Sequence, residues 1–270
     1  MPRTDANGVS LYYELEGTGE RLLVVSGTGS DLRQRPRVSD GPLVEHFEVL
    51  AYDQRGLGRS SVPPWPYAVK DFADDAAALL DAVGWDDCGV LGISFGGMVA
   101  QELAIGHPER VRRLVLACTS AGGEGGASYP LQELFELSPE DRSAVRMELI
   151  DTRWDEDWQR ANPDMVRLLT ERMRLDDQGE TPAGLTNQLA ARAAHDTADR
   201  LGSISCPTLV CGGRFDGIAP PANSEFLAGA IPGARLEMFD GGHGFFIQDE
   251  TALPAIASFL AEDAPAHVAP

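Results

Sequence analysis

In "VLGISFGGMVAQ", residues 90–101, Ser94 stands two positions from a glycine on either side. The G-x-S-x-G spacing of Gly92, Ser94 and Gly96 suits a serine on a sharp strand-to-helix turn, where the backbone is strained and only small neighbours fit. A hydroxyl presented in that way is a candidate nucleophile for acyl transfer. Glycine and serine also make ordinary turns, so the chemistry needs a base and an orienting acid from elsewhere in the chain. There are five histidines. His46 precedes an apolar run, His267 lies in the C-terminal tail, and His107 precedes a proline at a helix end, where a structural role is expected. His195 ends a helical run beside Asp196, which suggests a local hydrogen-bond pair. His243 differs from these. It sits in "FDGGHGFF", a glycine-rich loop directly after a strand-like run, and ligand chemistry in open α/β sheets gathers at the C-terminal ends of strands. For the acid, Asp216 in "CGGRFDGIAPP" follows the preceding strand-like run, with an Asx turn as its alternative role. Asp240 is the rival, but it lies too near His243 in sequence to face Nδ1 comfortably. The order Ser94, Asp216, His243 is the chain order of one triad architecture.

Elements able to position these residues are legible in the pattern. "VSLYYELEG" alternates and follows Asn7-Gly8, as a hairpin strand does. "RLLVVSG", "FEVLAYD", "CGVLGIS", "RRLVLACTS", "PTLVCGG" and "RLEMFDGG" are continuous apolar runs, expected of strands buried on both faces. Between them, "AVKDFADDAAALLDAVG" places Val69, Phe72, Ala76, Leu79, Leu80 and Val83 on one helical face, with Gly84 as the stop. "GMVAQELAIGHPERV" continues the Ser94 turn as a helix. Strands alternating with helices predict a mostly parallel sheet with helices on both faces. The alternation fails between about Gly122 and Leu201. There "SPEDRSAVRMELI", "NPDMVRLLTERMRL" and "TPAGLTNQLAARAAH" are all helical in pattern, each opened by Ser, Asn or Thr before a proline. A helical cap over residues 122–201 is therefore expected, inserted between two parts of one core, 1–121 and 202–270. The last residues, "AEDAPAHVAP", are expected to fray.

With these landmarks in place, the chain resembles the α/β-hydrolase superfamily over almost its whole length. "YDQRGLGRSS" resembles that superfamily's D-x-R-G-x-G-x-S loop, and "GISFGG", "HPERVRRLVL", "GGRFDGIAPP" and "GGHGFF" match its other landmarks in order. "SGTGSDL", "IPGARL" and the short helical insertion are similar to 3-oxoadipate enol-lactonases and to cofactor-free perhydrolase and haloperoxidase relatives. The resemblance implies an oxyanion hole made by the backbone N–H groups of Thr28 and Phe95. One departure stands out. Many relatives carry His-Gly where this chain has Ser26-Gly27, but a backbone donor does not require the histidine. The same stretch, "LLVVSGTGSDL", also resembles a dinucleotide-binding G-x-G-x-x-G, with Asp53 ending the next strand. Leu32 replaces the third glycine, however, and Pro36 interrupts the helix that would hold a pyrophosphate.

Composition narrows the remaining classes. The formal net charge is −20, from 42 acidic against 22 basic residues, which disfavours nucleic acid and anionic membrane as partners. Lys70 is the sole lysine and has no Walker A glycines before it, so a phosphate-binding loop of that type is excluded and a lysine Schiff base is not expected. The four cysteines, Cys88, Cys118, Cys206 and Cys211, form no C-x-x-C pair and read as free thiols of a reducing compartment. No clustered histidines or H-E-x-x-H suggest a metal. "MPRTDANGVS" lacks the apolar stretch of a leader and no run approaches membrane-spanning length, so a cytoplasmic protein is expected. The reading is an α/β-hydrolase fold whose Ser94, His243 and Asp216 cleave a small carboxylic ester or lactone without cofactor or metal. Tyr129, Phe135, Trp154, Trp158 and Met165 of the insertion are candidate pocket walls, each with packing within the insertion as its alternative. The same triad serves perhydrolysis and carbon–carbon bond hydrolysis, and a ligand receptor with little or no turnover could share the fold.

Overall fold

The computed structural model describes residues 2–35, 37–176 and 183–262, with no side-chain description for residues 139, 140 and 171–176. In chain order the elements are β1 (Arg3–Ala6), β2 (Val9–Glu16), β3 (Glu20–Val25), β4 (Phe47–Tyr52), α1 (Val69–Ala82), β5 (Cys88–Ile93), α2 (Phe95–Gly106) and β6 (Val111–Ala117). They continue as α3 (Pro139–Ile150), α4 (Glu156–Ala161), α5 (Pro163–Asp176), α6 (Ala183–Ala193), β7 (Thr208–Gly213), α7 (Pro221–Ala230), β8 (Arg235–Phe239), α8 (Phe245–Gln248) and α9 (Ala252–Ala261). The strands form one eight-stranded sheet in the order β1-β2-β4-β3-β5-β6-β7-β8. β1, β2 and β4 pair antiparallel at one edge, and every later pairing is parallel.

The hairpin between β1 and β2 turns on Asn7 and Gly8, both at positive φ, as a two-residue turn matched to strand twist requires. α1, α2 and α7 pack one face of the sheet around Phe72, Leu80, Val99, Leu103 and Leu227. α9 and the short turn through Leu43 cover the other, around Val49, Leu91, Val115, Ile256 and Phe259. β3 to β7 are buried on both faces, as their unbroken apolar runs demand. β8 departs from that expectation: Arg235, Leu236 and Glu237 are exposed because it is the edge strand.

Strand order reverses between β3 and β5, since the chain runs outward from β3 to β4 in one direction and from β5 to β6 in the other. A crevice opens at such a switch point, and here β3 leads to Thr28 while β5 leads to Ser94. The loop after β4 braces it. Asp53 accepts hydrogen bonds from the N–H of Leu32 at 2.7 Å and of Arg59 at 2.8 Å. Arg55 forms a two-pronged pair with buried Asp75, Nε to Oδ2 at 2.7 Å and Nη2 to Oδ1 at 2.6 Å. Removing either partner of so buried a pair strands the other charge. Asp53 is thus a structural aspartate. No helix follows Thr28 directly; a turn and the short 3₁₀ segment Val38–Asp40 do, which removes the anion-binding helix terminus a dinucleotide would use.

Candidate active site

Ser94 sits at φ 55°, ψ −118° between β5 and α2, a strained conformation that non-glycine residues hold only under constraint. The two flanking glycines are sterically required. A Cβ at Gly96 would lie 1.9 Å from Val25 O, and one at Gly92 would meet Gly96 O at 2.5 Å. Ser94 N–H donates to Ala117 O at 2.8 Å, tying the turn to β6.

His243, in the loop after β8, faces Ser94 with its Nε2 3.0 Å from Oγ. Its Nδ1 lies 2.8 Å from Asp216 Oδ2. Asp216 is 2% exposed, and its other oxygen, Oδ1, accepts the N–H groups of Ile218 and Ala219, each at 2.8 Å. The two roles weighed for this residue therefore coexist on one carboxylate: one oxygen makes an Asx-type turn and the other receives the imidazole. Asp240 points away, with its side chain 71% exposed and paired with Arg153 at 3.0 Å.

The loop bearing Thr28 passes close to the serine: a Cβ at Gly27 would lie 3.9 Å from Ser94 Oγ. Among the described residues no acceptor takes the N–H of Thr28 or of Phe95; Phe95 opens α2, where N–H groups have no partner within the helix. The positions flanking Thr28 are pinned. Gln54 Nε2 donates to Ser26 O at 2.7 Å, and Gly29 N–H donates to Gln188 Oε1 at 2.8 Å. Ser26 is thus held through its carbonyl, without the histidine common at this position.

Sequence reasoning missed a clamp made by the end of α3. Gly217 N–H, beside Asp216, donates to Leu149 O at 3.0 Å, and His243 N–H donates to Ile150 O at 2.6 Å. Asp151, fully buried, accepts Gln248 Nε2 at 2.8 Å, while Gln248 Oε1 accepts Gly242 N–H at 2.8 Å. Burial raises the Asp151 carboxyl, but hydrogen bonds from Arg153 outweigh it and hold the group below the ordinary aspartate value. These acceptors are main-chain carbonyls and a distant amide, which leave no motif in the sequence.

The other histidines lie apart. His107 Nε2 is 2.9 Å from Asp74 Oδ1. His195 does not pair with Asp196 as its neighbourhood suggests: its Nε2 is 3.5 Å from Thr197 Oγ1, and Asp196 instead accepts Ala198 N–H at 3.1 Å. Burial lowers His195 to about 4, so it is neutral at pH 7. His267 lies outside the described residues. One group among the described residues has metal-ligand spacing, Cys118, Asp216 and His243, whose ligand atoms lie within 4.8 Å of one another. It suits a metal poorly. Both His243 nitrogens face Ser94 and Asp216, and burial pushes the Cys118 thiol well above its ordinary value, away from the thiolate that a metal needs.

A cavity of about 220 Å³ adjoins the Thr28 loop, lined by Thr28, Gln34, Leu131, Leu134, Phe135 and Leu189 among others. Of the candidate wall residues, Phe135 lies on it. Trp154 and Trp158 stack on each other with centroids 5.5 Å apart, Met165 is 47% exposed on α5, and Tyr129 is bonded through its backbone to Ile218 O at 2.7 Å. None of these four lines the described cavities. Leu131, Leu134 and Leu189 do, as ordinary apolar residues that no sequence signal distinguished. No helix among the described residues is long and apolar enough to cross a membrane.

Comparison with known proteins agrees with this architecture. Residues 21–250 match the family model described as alpha/beta hydrolase fold. The chain is 32% identical over 258 residues to a protein of Azorhizobium caulinodans assigned provisionally as the carbamate hydrolase RutD, covering 91% of this chain and 92% of that one. It is 30% identical over 241 residues to 3-oxoadipate enol-lactonase 2 of Acinetobacter baylyi, covering 88% of each. The solved enol-lactonase of Burkholderia xenovorans LB400 superposes with a TM-score of 0.78 at 26% identity, covering 97% of this chain and 100% of that one. The eight-stranded, mostly parallel sheet, the strained serine at its switch point and this family match together place the chain in the α/β-hydrolase family, and it is a hydrolase.

Proposed function

We propose that this hydrolase cleaves a small carboxylic ester or lactone through an acyl-enzyme on Ser94. The observation that carries the reading is the unbroken relay from Ser94 Oγ to His243 Nε2 at 3.0 Å and from His243 Nδ1 to Asp216 Oδ2 at 2.8 Å. As Oγ bonds to the acyl carbon, His243 Nε2 takes its proton, and Asp216 fixes the tautomer and stabilises the imidazolium. The Thr28 and Phe95 N–H groups receive the oxyanion. His243 then returns the proton to the leaving oxygen as the C–O bond breaks; in a lactone that oxygen remains tethered to the acyl group. Water adds next, giving a proton to His243, and the carboxylic acid departs as Ser94 regains its hydrogen. The enol-lactonase relatives support an ester or lactone carbonyl as the target. The cavity volume suits a small molecule, and the acidic composition makes a polyanion an unsuitable partner. The four cysteines stand as free thiols, which supports a reducing, cytoplasmic setting.

The test pairs fluorophosphonate labelling with turnover of acyl esters, lactones and carbamates. An adduct on Ser94 with acid release from esters or lactones is expected. Labelling elsewhere, or labelling of Ser94 with cleavage of carbamates alone, overturns the assignment.

Residues 122–201 act in this reading as a cap that sets substrate preference, with Phe135 as a wall. Removing its ring from the cavity takes away apolar contact worth ~1–3 kcal/mol in discrimination, roughly ten- to two-hundredfold. Phe135→Ala is therefore expected to redistribute kcat/KM across ester chain lengths. Trp154→Ala, which unstacks Trp158 away from the cavity, is expected to lower Tm and leave the rank order of substrates intact. A Phe135→Ala profile parallel to that of the parent enzyme would place the wall elsewhere.

A further inference from the structure

The N–H of Thr28 belongs to the middle of three consecutive peptide units, and a buried glutamine grips each of the outer two. The unit joining Ser26 to Gly27 is held through its carbonyl, which accepts Gln54 Nε2 at 2.7 Å. The unit joining Thr28 to Gly29 is held through its N–H, which donates to Gln188 Oε1 at 2.8 Å. The unit between them, joining Gly27 to Thr28, accepts only Ser30 N–H among the described residues. That contact, to Gly27 O at 3.3 Å, is at the long limit for such a bond.

Little else fixes this loop. Glycine stands on each side of Thr28, and Gly29 sits at φ 71°, so the backbone there turns readily. Thr28, Gly29 and Ser30 border the cavity of about 220 Å³, while Ser26, Gly27 and Ser30 border a second of about 190 Å³. Open space therefore adjoins both halves of the loop, and close packing does not set the plane of the middle peptide. Ser26, which replaces the histidine common in relatives, gives the loop no bulky side chain to wedge it.

The two glutamines belong to one frame. Gln54 follows β4 and is 1% exposed, and Gln188, on α6, is fully buried. α6 is seated on the same loop after β4, because Gly184 packs on Gly56 so closely that a Cβ on Gly56 would lie 2.8 Å from Gly184 Cα. Asp53, beside Gln54, holds Leu32 N–H farther along. The loop after β4 thus reaches the Thr28 loop directly through Gln54 and again through α6.

Stability does not explain these amides. Gln54 Oε1 and Gln188 Nε2 are buried with no partner among the described residues. A buried amide left half satisfied adds little to folding. What each provides is the one bond that it makes to the loop.

We propose that Gln54 and Gln188 are positioning residues for the oxyanion hole. By fixing the peptide units before and after it, they hold the Thr28 N–H in the orientation that meets the developing oxyanion. One helix of residues 122–201 then serves bond cleavage itself and not substrate choice alone. The role in turnover rests on the acyl-enzyme reading above; the clamp on the loop does not.

The test compares the full-length parent enzyme with Gln54→Met and Gln188→Met, which keep side-chain length and lose the hydrogen bond. Gln188→Glu keeps an acceptor for Gly29 N–H in either protonation state, and Gln188→Asn falls one methylene short. On p-nitrophenyl acetate each Met variant is expected to lose roughly ten- to a hundredfold in kcat, less than outright removal of an oxyanion donor can cost. KM should change little, because the contact forms in the transition state. Phenylboronic acid, which mimics the tetrahedral intermediate on Ser94, should bind each Met variant more weakly by a similar factor. Gln188→Glu should recover most of the rate even where its buried carboxyl lowers Tm, whereas Gln188→Asn should not. Amide hydrogen exchange over residues 26–30 should quicken in the Met variants and stay near the parent rate in Gln188→Glu. Far-ultraviolet circular dichroism checks folding, and a Met variant that does not fold is replaced by the Asn variant at the same position. Parent-like kcat in folded Gln188→Met, a loss confined to KM, or equal losses in Gln188→Met and Gln188→Glu each overturn the proposal. A parent enzyme whose Ser94 takes no fluorophosphonate, with the exchange contrast intact, would uphold the clamp and defeat the acyl-enzyme.

Discussion

Ser94→Ala is expected to lower kcat on a chromogenic ester by about 10⁴- to 10⁶-fold, the range seen when the nucleophile of a serine triad is removed. The residual rate belongs to the oxyanion donors and binding, which the substitution leaves in place. Alanine keeps the Cβ, so the strained φ of 55° and the contacts of Gly92 and Gly96 are unchanged, and Tm should move little. Among the described residues the hydroxyl's one hydrogen-bond partner is His243 Nε2, so no other described element loses support. Intact-mass spectrometry after fluorophosphonate treatment should show an adduct on the parent enzyme and none on the variant. Retained ester turnover in a folded Ser94→Ala protein would move the nucleophile elsewhere.

Asp216→Asn should cost nearly as much. In serine proteases the equivalent change lowers turnover about 10⁴-fold, because the amide turns the imidazole into the wrong tautomer. Here the expected loss is ~10²- to 10⁴-fold in kcat. The loop should survive, since Oδ1 still accepts Ile218 and Ala219, provided the amide nitrogen takes the Oδ2 position. Near the imidazole, that nitrogen donates where an acceptor is needed. Asp240→Asn is the control: its exposed carboxylate faces Arg153, and activity should remain within about twofold, as for surface changes generally. Near-parent activity in Asp216→Asn together with loss in Asp240→Asn would exchange the two assignments.

The juxtaposition of Ser94, Asp216 and His243 was legible because each is announced by local chemistry. Gly92 and Gly96 bracket the serine where Val25 and Ala100 leave no room for a side chain, and the other two follow apolar runs that become β7 and β8. The sheet was legible for the same reason, since strands buried on both faces are apolar throughout. The edge position of β8 was not, because Leu236, Met238 and Phe239 read as core until topology is known. The cavity wall was misjudged where bulk stood in for position. Trp154, ahead of α4, and Trp158 within it satisfy each other by stacking, whereas Leu134 and Leu189 reach the cavity through packing that no periodicity reveals. His195 reads as the partner of its sequence neighbour Asp196, but past the end of α6 its Nε2 lies against Thr197 Oγ1 instead.

The end of α3 has a consequence for recombination between relatives. Helical insertions of this kind invite exchange as interchangeable parts, with crossovers drawn where the sheet stops and resumes. In this chain such a graft would remove Leu149 O and Ile150 O, the acceptors beneath Gly217 and His243, and with them Asp151, which steadies Gln248. A donor segment of different length would leave those amides without acceptors and release the imidazole loop, whatever specificity it carried. The natural seams for a chimaera therefore fall after Asp151 and ahead of α6, whose Gln188 holds Gly29 N–H and whose Gly184 packs on Gly56: Gly122–Asp151 and α6 stay with the host, and α4 and α5 are the part that can travel.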